Sequence, residues 1–253
     1  MAELKAENLS CSLGGKEVVR DASFSLHSGD LCVILGPNGA GKTSLVRGAM
    51  GLIDDVSGIA TVRGRPTRDL DAEARAREIA YLPQQREVAW PVNVRDVVSV
   101  GRYSFGTGLG WETDEDRDAI DDALRACDLT DLADRSVDTL SGGEMARVHC
   151  ARALSTHAPL LIADEPNAAL DPRHAFELME ILHRYALDGG GVMVILHDLA
   201  LAARYANKVI WMKDGRIVAQ GSAEAMMTEA LCADVYGVRT RIDGKHVELL
   251  GPL

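Results

Sequence analysis

Residues 31–43 read Leu31-Cys32-Val33-Ile34-Leu35-Gly36-Pro37-Asn38-Gly39-Ala40-Gly41-Lys42-Thr43, an aliphatic run that passes directly into a glycine-rich loop ending in a lysine and a hydroxyl. Five consecutive apolar residues suit a strand buried on both faces, as in a parallel sheet. Beyond the loop, Leu45, Val46, Ala49 and Met50 recur at helical spacing as far as Gly51. Strand, loop and helix in that order make an anion site. Gly36, Gly39 and Gly41 let the backbone curl so that its N–H groups converge on a phosphate, and the helix start adds the positive end of its dipole. Pro37, Asn38, Ala40 and Ser44 complete the cradle in this reading. Lys42 bridges the β- and γ-phosphates of a nucleoside triphosphate, and the Thr43 hydroxyl ligates Mg2+. A glycine turn with a chance lysine would not account for the flanking strand and helix. The motif alone does not separate kinases, GTPases and transport ATPases.

Two further aliphatic runs, 160–163 and 192–196, lead into polar residues, with helical patterns between them. That is the rhythm of a parallel βαβ sheet. The first run ends in adjacent carboxylates, Asp164 and Glu165. Successive strand residues point to opposite faces, so the two acids take different work. Asp164 orients Mg2+ through water, and Glu165 accepts a proton from the attacking water or aligns it. Strands ending in solvated acids are common, but not downstream of a phosphate loop. Residues 3–26 alternate in β-like runs broken at Gly14-Gly15 and Ser28-Gly29-Asp30. Residues 118–128 put Ile120, Leu124 and Cys127 on one helical face, inside a long excursion over roughly 85–140. Asp214-Gly215 and Asp243-Gly244 read as hairpin turns.

The chain has 253 residues, of which 47% are hydrophobic and only 4% aromatic, so aliphatic side chains must fill the core. Its net charge of −11 repels nucleic acid and anionic lipid, and no nucleic-acid partner is expected. Residues 112–138 hold eleven acids against three arginines, which reads as a solvated helical face. The five cysteines are scattered without a CxxC spacing, which argues against a disulfide scaffold or zinc site and for a reducing compartment. The start lacks an apolar segment of signal-peptide type, and no apolar run approaches the ~20 residues that cross a bilayer. The expectation is a cytosolic protein whose membrane role is by docking.

Leu140-Ser141-Gly142-Gly143-Glu144 precedes a helical pattern reaching Leu154. Ser141 and Glu144 form an S-x-x-E capping box, the ordinary start of a helix. Capping does not explain the two glycines inside the box, which would let a phosphate approach the bare helix end. Here the sequence resembles the ABC ATPase family over residues 3–222 at least. LSGGE is similar to the family signature, usually LSGGQ. Tyr81-Leu82-Pro83-Gln84 resembles the Q-loop, with Gln84 a ligand of metal and water. Asp164-Glu165-Pro166-Asn167-Ala168-Ala169-Leu170-Asp171 resembles Walker B and the D-loop, with Asp171 the family aspartate. Val194-Ile195-Leu196-His197-Asp198 resembles the H-loop, with His197 placed to touch the γ-phosphate. A lone histidine after a strand is more often structural; this one follows four other motifs in family order.

The resemblance implies a P-loop NTPase core with a mostly parallel sheet, an N-terminal antiparallel β subdomain and an inserted α-helical subdomain. One ATPase domain would span 1–253, with 1–84 and 141–253 as nucleotide-binding core and about 85–140 as helical subdomain. Two copies would bind ATP and Mg2+ head to tail. Ser141, Gly142, Gly143 and Glu144 of one copy would close on the γ-phosphate held by Lys42 of the other, Asp171 would be a further nucleotide-binding residue, and Glu165 would drive hydrolysis. Residues 92–102 and 197–221 resemble importers of iron-siderophore, haem and cobalamin. That implies two transmembrane permease subunits, indirectly a substrate-binding protein, and a place on the cytoplasmic face of the membrane. Trp90-Pro91 lies where the family receives the permease's coupling helix, so Trp90 is either a docking residue or buried under the helical subdomain. The rivals are a soluble ABC ATPase of translation or DNA repair, and a small-molecule kinase. The single cassette, with about a hundred residues between phosphate loop and signature and no sustained heptads, fits the first poorly. A kinase would not need LSGGE.

Glu144 for Gln and Ala168 for the common D-loop serine remove no group the chemistry needs. Leu13 stands where many family members stack an aromatic ring on adenine. Leu13→Tyr should therefore tighten ATP binding by on the order of 1–3 kcal/mol in calorimetric titration; equal affinity in the two proteins would contradict that placement.

Overall fold

The computed structural model describes residues 3–84, 91–108 and 111–253. β1 (Glu3–Leu13) and β2 (Lys16–His27) form a long antiparallel hairpin. β3 (Leu31–Leu35) opens a second sheet, and every residue of it is buried. β4 (Val56–Val62) and β5 (Arg65–Pro66) return to the first sheet, giving the order β2-β1-β4-β5. β6 (Ile79–Leu82), β7 (Leu160–Asp164), β8 (Gly191–Ile195), β9 (Lys208–Lys213) and β10 (Arg216–Ser222) complete the second sheet in the order β10-β9-β3-β8-β7-β6. Its pairings are parallel except β9–β10, a hairpin turned by Asp214 and Gly215 at φ 50° and 79°. Left-handed residues at both turn positions match the strand twist. β11 (Val238–Asp243) and β12 (His246–Pro252) make a separate hairpin. Its turn is Gly244-Lys245, one residue later than expected, because Asp243 still pairs with His246.

Strand alternation sorts the second sheet into two cores. Leu31, Val33, Leu35, Leu161, Ala163, Val192 and Val194 pack against helices. Cys32, Ile34, Leu160, Ile162, Met193 and Ile195 pack against the antiparallel sheet and α1 (Lys42–Ala49). Both faces are therefore dry, which is why these strands read as unbroken aliphatic runs. The remaining helices are α2 (Ala72–Glu78), α3 (Val94–Ser99), α4 (Asp114–Ala126), α5 (Gly142–Leu154), α6 (Pro172–Leu187), α7 (Leu199–Tyr205), α8 (Ala223–Met226) and α9 (Glu229–Tyr236). None among the described residues is long and apolar enough to cross a membrane. α3 and α4 pack on each other and on α5.

α4 buries Ile120 and Leu124, with Cys127 at its C-cap, as the spacing predicts. It starts at Asp114, earlier than the apolar periodicity shows, because a Thr113–Asp116 capping box initiates it. The acidic stretch is a solvated face with one exception. Asp116 is buried and pairs with the buried Arg102 at 2.8 Å, and Arg102 also donates to the Ser155 carbonyl at the end of α5. Thr107 and Thr113 donate to the other carboxylate oxygen at 2.7 and 2.8 Å. Burial opposes charge on Asp116, but bonds from Thr107, Arg102 and Thr113 outweigh it and hold the carboxyl well below the usual range.

Asp116→Asn leaves the Arg102 charge buried and unpaired, and should cost about 3–5 kcal/mol near neutral pH. Because the folded-state acid lies below its unfolded value of about 3.9, the wild type holds this contribution above that pH and loses it as pH falls further. Denaturant titrations should show the gap between wild type and variant narrowing below about pH 4; a gap constant with pH would contradict the assignment.

Candidate functional site

Parallel strands β3, β8, β7 and β6 end on one edge of the sheet, where open α/β sheets place ligands. Their carboxyl ends lead to the 36–43 loop, His197, Asp164-Glu165 and Gln84. A cleft of about 570 Å³ lies there, lined by Val18, Asn38, Gly39, Ala40, Gly41, Lys42, Thr43, Ser44, Gln84, Glu165 and His197. α1 begins at Lys42 behind Gly41, which is left-handed at φ 94° and offers no side-chain cap. The first-turn N–H groups are thus left to a ligand. A Cβ on Gly41 would lie 2.5 Å from the Val18 carbonyl oxygen, so only glycine lets the loop close against β2. Lys42 is buried, and its Nζ donates to the Gly36 and Pro37 carbonyls at 2.7 and 3.0 Å. Burial pulls its pKa down, partly offset by Glu165 and Asp164. Gly36 is held from the far side of the chain: its N–H donates to the Tyr236 hydroxyl at 2.9 Å, and that hydroxyl donates to the Gly36 carbonyl at 3.3 Å. Tyr236 ends α9, and its ring stands edge-on to Trp211.

The acidic side of the cleft is built on β7. Thr43 Oγ1 donates to Asp164 Oδ1 at 3.0 Å, and the Tyr81 hydroxyl donates to Asp164 Oδ2 at 3.3 Å. Burial pushes the Asp164 pKa up, with Glu165 adding to it; the bonds from Thr43 and Tyr81 and the charge of Lys42 oppose. Tyr81 itself is pushed up to about 12 by burial and Asp164, so it stays a donor. Glu165 points elsewhere for a reason that simple strand alternation does not supply. It has left the strand at φ 48°, in the left-handed region. Gln84 Nε2 donates to Glu165 Oε2 at 2.7 Å, and His197 Nε2 meets Glu165 Oε1 at 2.7 Å. The three residues expected to act on water or the γ-phosphate therefore meet around one carboxylate. Thr43 and Asp164 are hard oxygen donors, and Gln84 lines the same cleft. Among the described residues no group of three His, Cys, Asp or Glu side chains would hold a metal by itself. So sparse an oxygen set fits Mg2+, which keeps waters and phosphate oxygens in its shell.

The other expected residues form a second cluster, outside the lining of that cleft. Ser141 caps α5, accepting from the Glu144 N–H at 3.3 Å, while the Glu144 carboxylate accepts from the Ser141 N–H at 2.7 Å. That backbone bond leads the contacts that hold the Glu144 carboxyl below its ordinary value. The two glycines differ. A Cβ on Gly142 would meet nothing within 4 Å, whereas one on Gly143 would lie 2.2 Å from the His174 ring. Asp171 caps α6 by accepting the His174 N–H at 2.9 Å.

Val18, Tyr81, Tyr236 and His174 were not singled out from sequence. Tyr81 and His174 carried a signal, one beside the Q-loop glutamine and the other three residues past a capping aspartate. Tyr236 carried none, being 200 residues from Gly36. Leu13 is half-exposed at the end of β1, and the cleft wall from that hairpin is Val18. Trp90 lies outside the described residues.

The ABC transporter family pattern matches residues 19–168. The hemin import ATP-binding protein HmuV of Pseudomonas putida is 39% identical, over 99% of this chain and 98% of that one. The cobalamin import ATP-binding protein BtuD of Halobacterium salinarum is 35% identical over 94% of this chain and 60% of its own length. Among solved structures, a dimeric bacterial ABC transporter cassette superposes with a TM-score of 0.75 at 26% identity, over 87% of this chain and 98% of that one.

Tyr236→Phe removes both bonds to Gly36 and keeps the ring against Trp211. ATP affinity should fall about five- to tenfold, the worth of one hydrogen bond, with an unchanged circular dichroism spectrum. Unaltered affinity would show that the loop does not need this strut.

Proposed function

The chain belongs to the ABC transporter family of ATP-binding proteins, and on that footing we propose that it powers an importer of a metal chelate such as haem, iron-siderophore or cobalamin. It is an ATPase. The observation that carries the mechanism is the Glu165 carboxylate held between Gln84 and His197 above the phosphate loop. Lys42 and the first-turn N–H groups of α1 bind the β- and γ-phosphates, where a triphosphate's charge compensates a buried ammonium. Mg2+, held by Thr43, Asp164 and Gln84, neutralises charge on the phosphate oxygens when bound. Glu165 orients the attacking water and takes its proton as the water oxygen bonds to the γ-phosphorus and the bond to the bridging oxygen breaks. His197, with 42% of its side chain exposed, lines the same cleft, and its Nε2 would turn from Glu165 to donate to the γ-phosphate of a bound triphosphate.

Ser141, Gly142, Gly143, Glu144 and Asp171 are not among the residues that line the cleft in their own chain. A second copy, head to tail, supplies them: the end of α5 closes on the γ-phosphate of its twin. Binding energy for closure is then realised only with triphosphate present, and hydrolysis releases it.

Coupling to two permease subunits is supported by a largely apolar groove of about 610 Å³ lined in part by Leu52, Val100, Tyr103 and Arg152, with Leu52 and Tyr103 39% and 44% exposed. Tyr81 lines this groove and donates to Asp164, so a helix seated there touches the metal-binding acid through one side chain. Trp90 remains a candidate docking residue on sequence grounds, and about 85–140 act as the helical subdomain of a single domain spanning 1–253. The protein then sits on the cytoplasmic face of the membrane, and a substrate-binding protein delivers the chelate.

Glu165→Gln should lower ATP turnover at least ~10²-fold and, with Mg-ATP, convert the chain to a dimer in light-scattering chromatography. With reconstituted permease, turnover of the wild type should rise when the binding protein carries its chelate. A Glu165→Gln protein that stays monomeric with Mg-ATP, alone and with its permease, would contradict the proposal.

A further inference from the structure

Asp171 and the turn at 141–144 lie about thirty residues apart in the chain, yet one side chain touches both. His174, in the first turn of α6, donates its backbone N–H to Asp171 Oδ1 at 2.9 Å. Its ring Nδ1 lies 2.9 Å from Asp171 Oδ2. Facing a carboxylate, that nitrogen carries the proton. These bonds, led by the backbone one, hold the Asp171 carboxyl below its ordinary value, so it is ionised and doubly fixed. The ring also lies flat on Gly143. A Cβ there would stand 2.2 Å from Cδ2, 2.3 Å from Cγ and 2.7 Å from Nε2 of the imidazole.

An N-cap needs only the backbone N–H that any residue at 174 would supply. The ring bond and the seat on Gly143 belong to histidine. Gly142, the neighbouring glycine, has open space where its Cβ would be and serves no such seat. The arrangement therefore separates the two glycines: Gly142 leaves the helix end approachable, and Gly143 admits the ring that ties it to Asp171.

We infer that His174 is the positioning residue of the half-site that closes on a second copy's nucleotide: it fixes the Asp171 carboxylate against the 141–144 turn so that both arrive as one surface. This rests on the head-to-tail reading above. A preorganised surface loses less freedom on association, so the effect falls on closure and turnover and leaves nucleotide capture by the phosphate loop alone.

The test compares dimerisation with Mg-ATP, by sedimentation, in Glu165→Gln and in Glu165→Gln with His174→Ala, His174→Asn or His174→Phe. His174→Ala should weaken the dimer about tenfold or more, while ATP binding to the single chain changes less than about twofold. In the otherwise wild-type chain it should lower kcat and leave KM unchanged. His174→Asn, which keeps a donor for Asp171, and His174→Phe, which keeps a ring on Gly143, should each recover part of the loss. Both also serve as folded controls should the alanine variant unfold. Dimers as tight in His174→Ala as in the parent would overturn this inference alone, whereas a parent that does not dimerise would remove the head-to-tail premise with it.

Discussion

A triphosphate carries concentrated negative charge, and a chain with a net charge of −11 repels it at long range. Attraction must come from a few ångströms of backbone and one ammonium, so the shape of the 36–43 loop is the constraint on which the rest depends. Each neighbour of that loop holds it in place. β2 presses the Val18 carbonyl against Gly41, leaving no room for a side chain. Tyr236 grips both the backbone N–H and the carbonyl of Gly36 from the last turn of α9. Lys42 is buried against the loop's own carbonyls, which solvate it until an anion competes. The strands beneath are dry on both faces, so the loop stands on a base with little freedom to shift.

The same parallel sheet divides the remaining chemistry in two. Asp164, Glu165, Gln84 and His197 come together over the loop because their strands end on one edge. Ser141–Glu144 and Asp171 gather instead around His174, at the starts of α5 and α6. In the proposed dimer, a chain built this way would hold one half of each of two sites, and its twin would complete both. Tyr81 adds a further link, since its ring lines the apolar groove and its hydroxyl reaches Asp164. In the proposed assembly, docking and metal binding would thereby meet at one side chain.

Much of this was legible in the sequence, for reasons that can be named. The buried strands announce themselves as aliphatic runs because neither face meets water, and the phosphate loop because only glycine tolerates its backbone. The direction of Glu165 was legible, but its cause was not: a left-handed residue past the strand, invisible to a period of two, turns the side chain. The acidic stretch read correctly as surface except at Asp116, whose partner Arg102 sits in a different element. Contacts that join distant segments, Tyr236 to Gly36 and His174 to Gly143, leave no periodic trace, because tertiary packing rather than local pattern creates them.

In the proposed dimer each working site takes its phosphate loop from one chain and its serine-glycine turn from another. The direct measurement is ATP turnover on mixing two inactive variants, Lys42→Ala and Ser141→Arg. If the site is shared head to tail, both lesions fall in one of the two sites of a mixed dimer, the other is intact, and hydrolysis returns. If each chain forms its site alone, the mixture stays as inactive as its components, which would contradict a shared site.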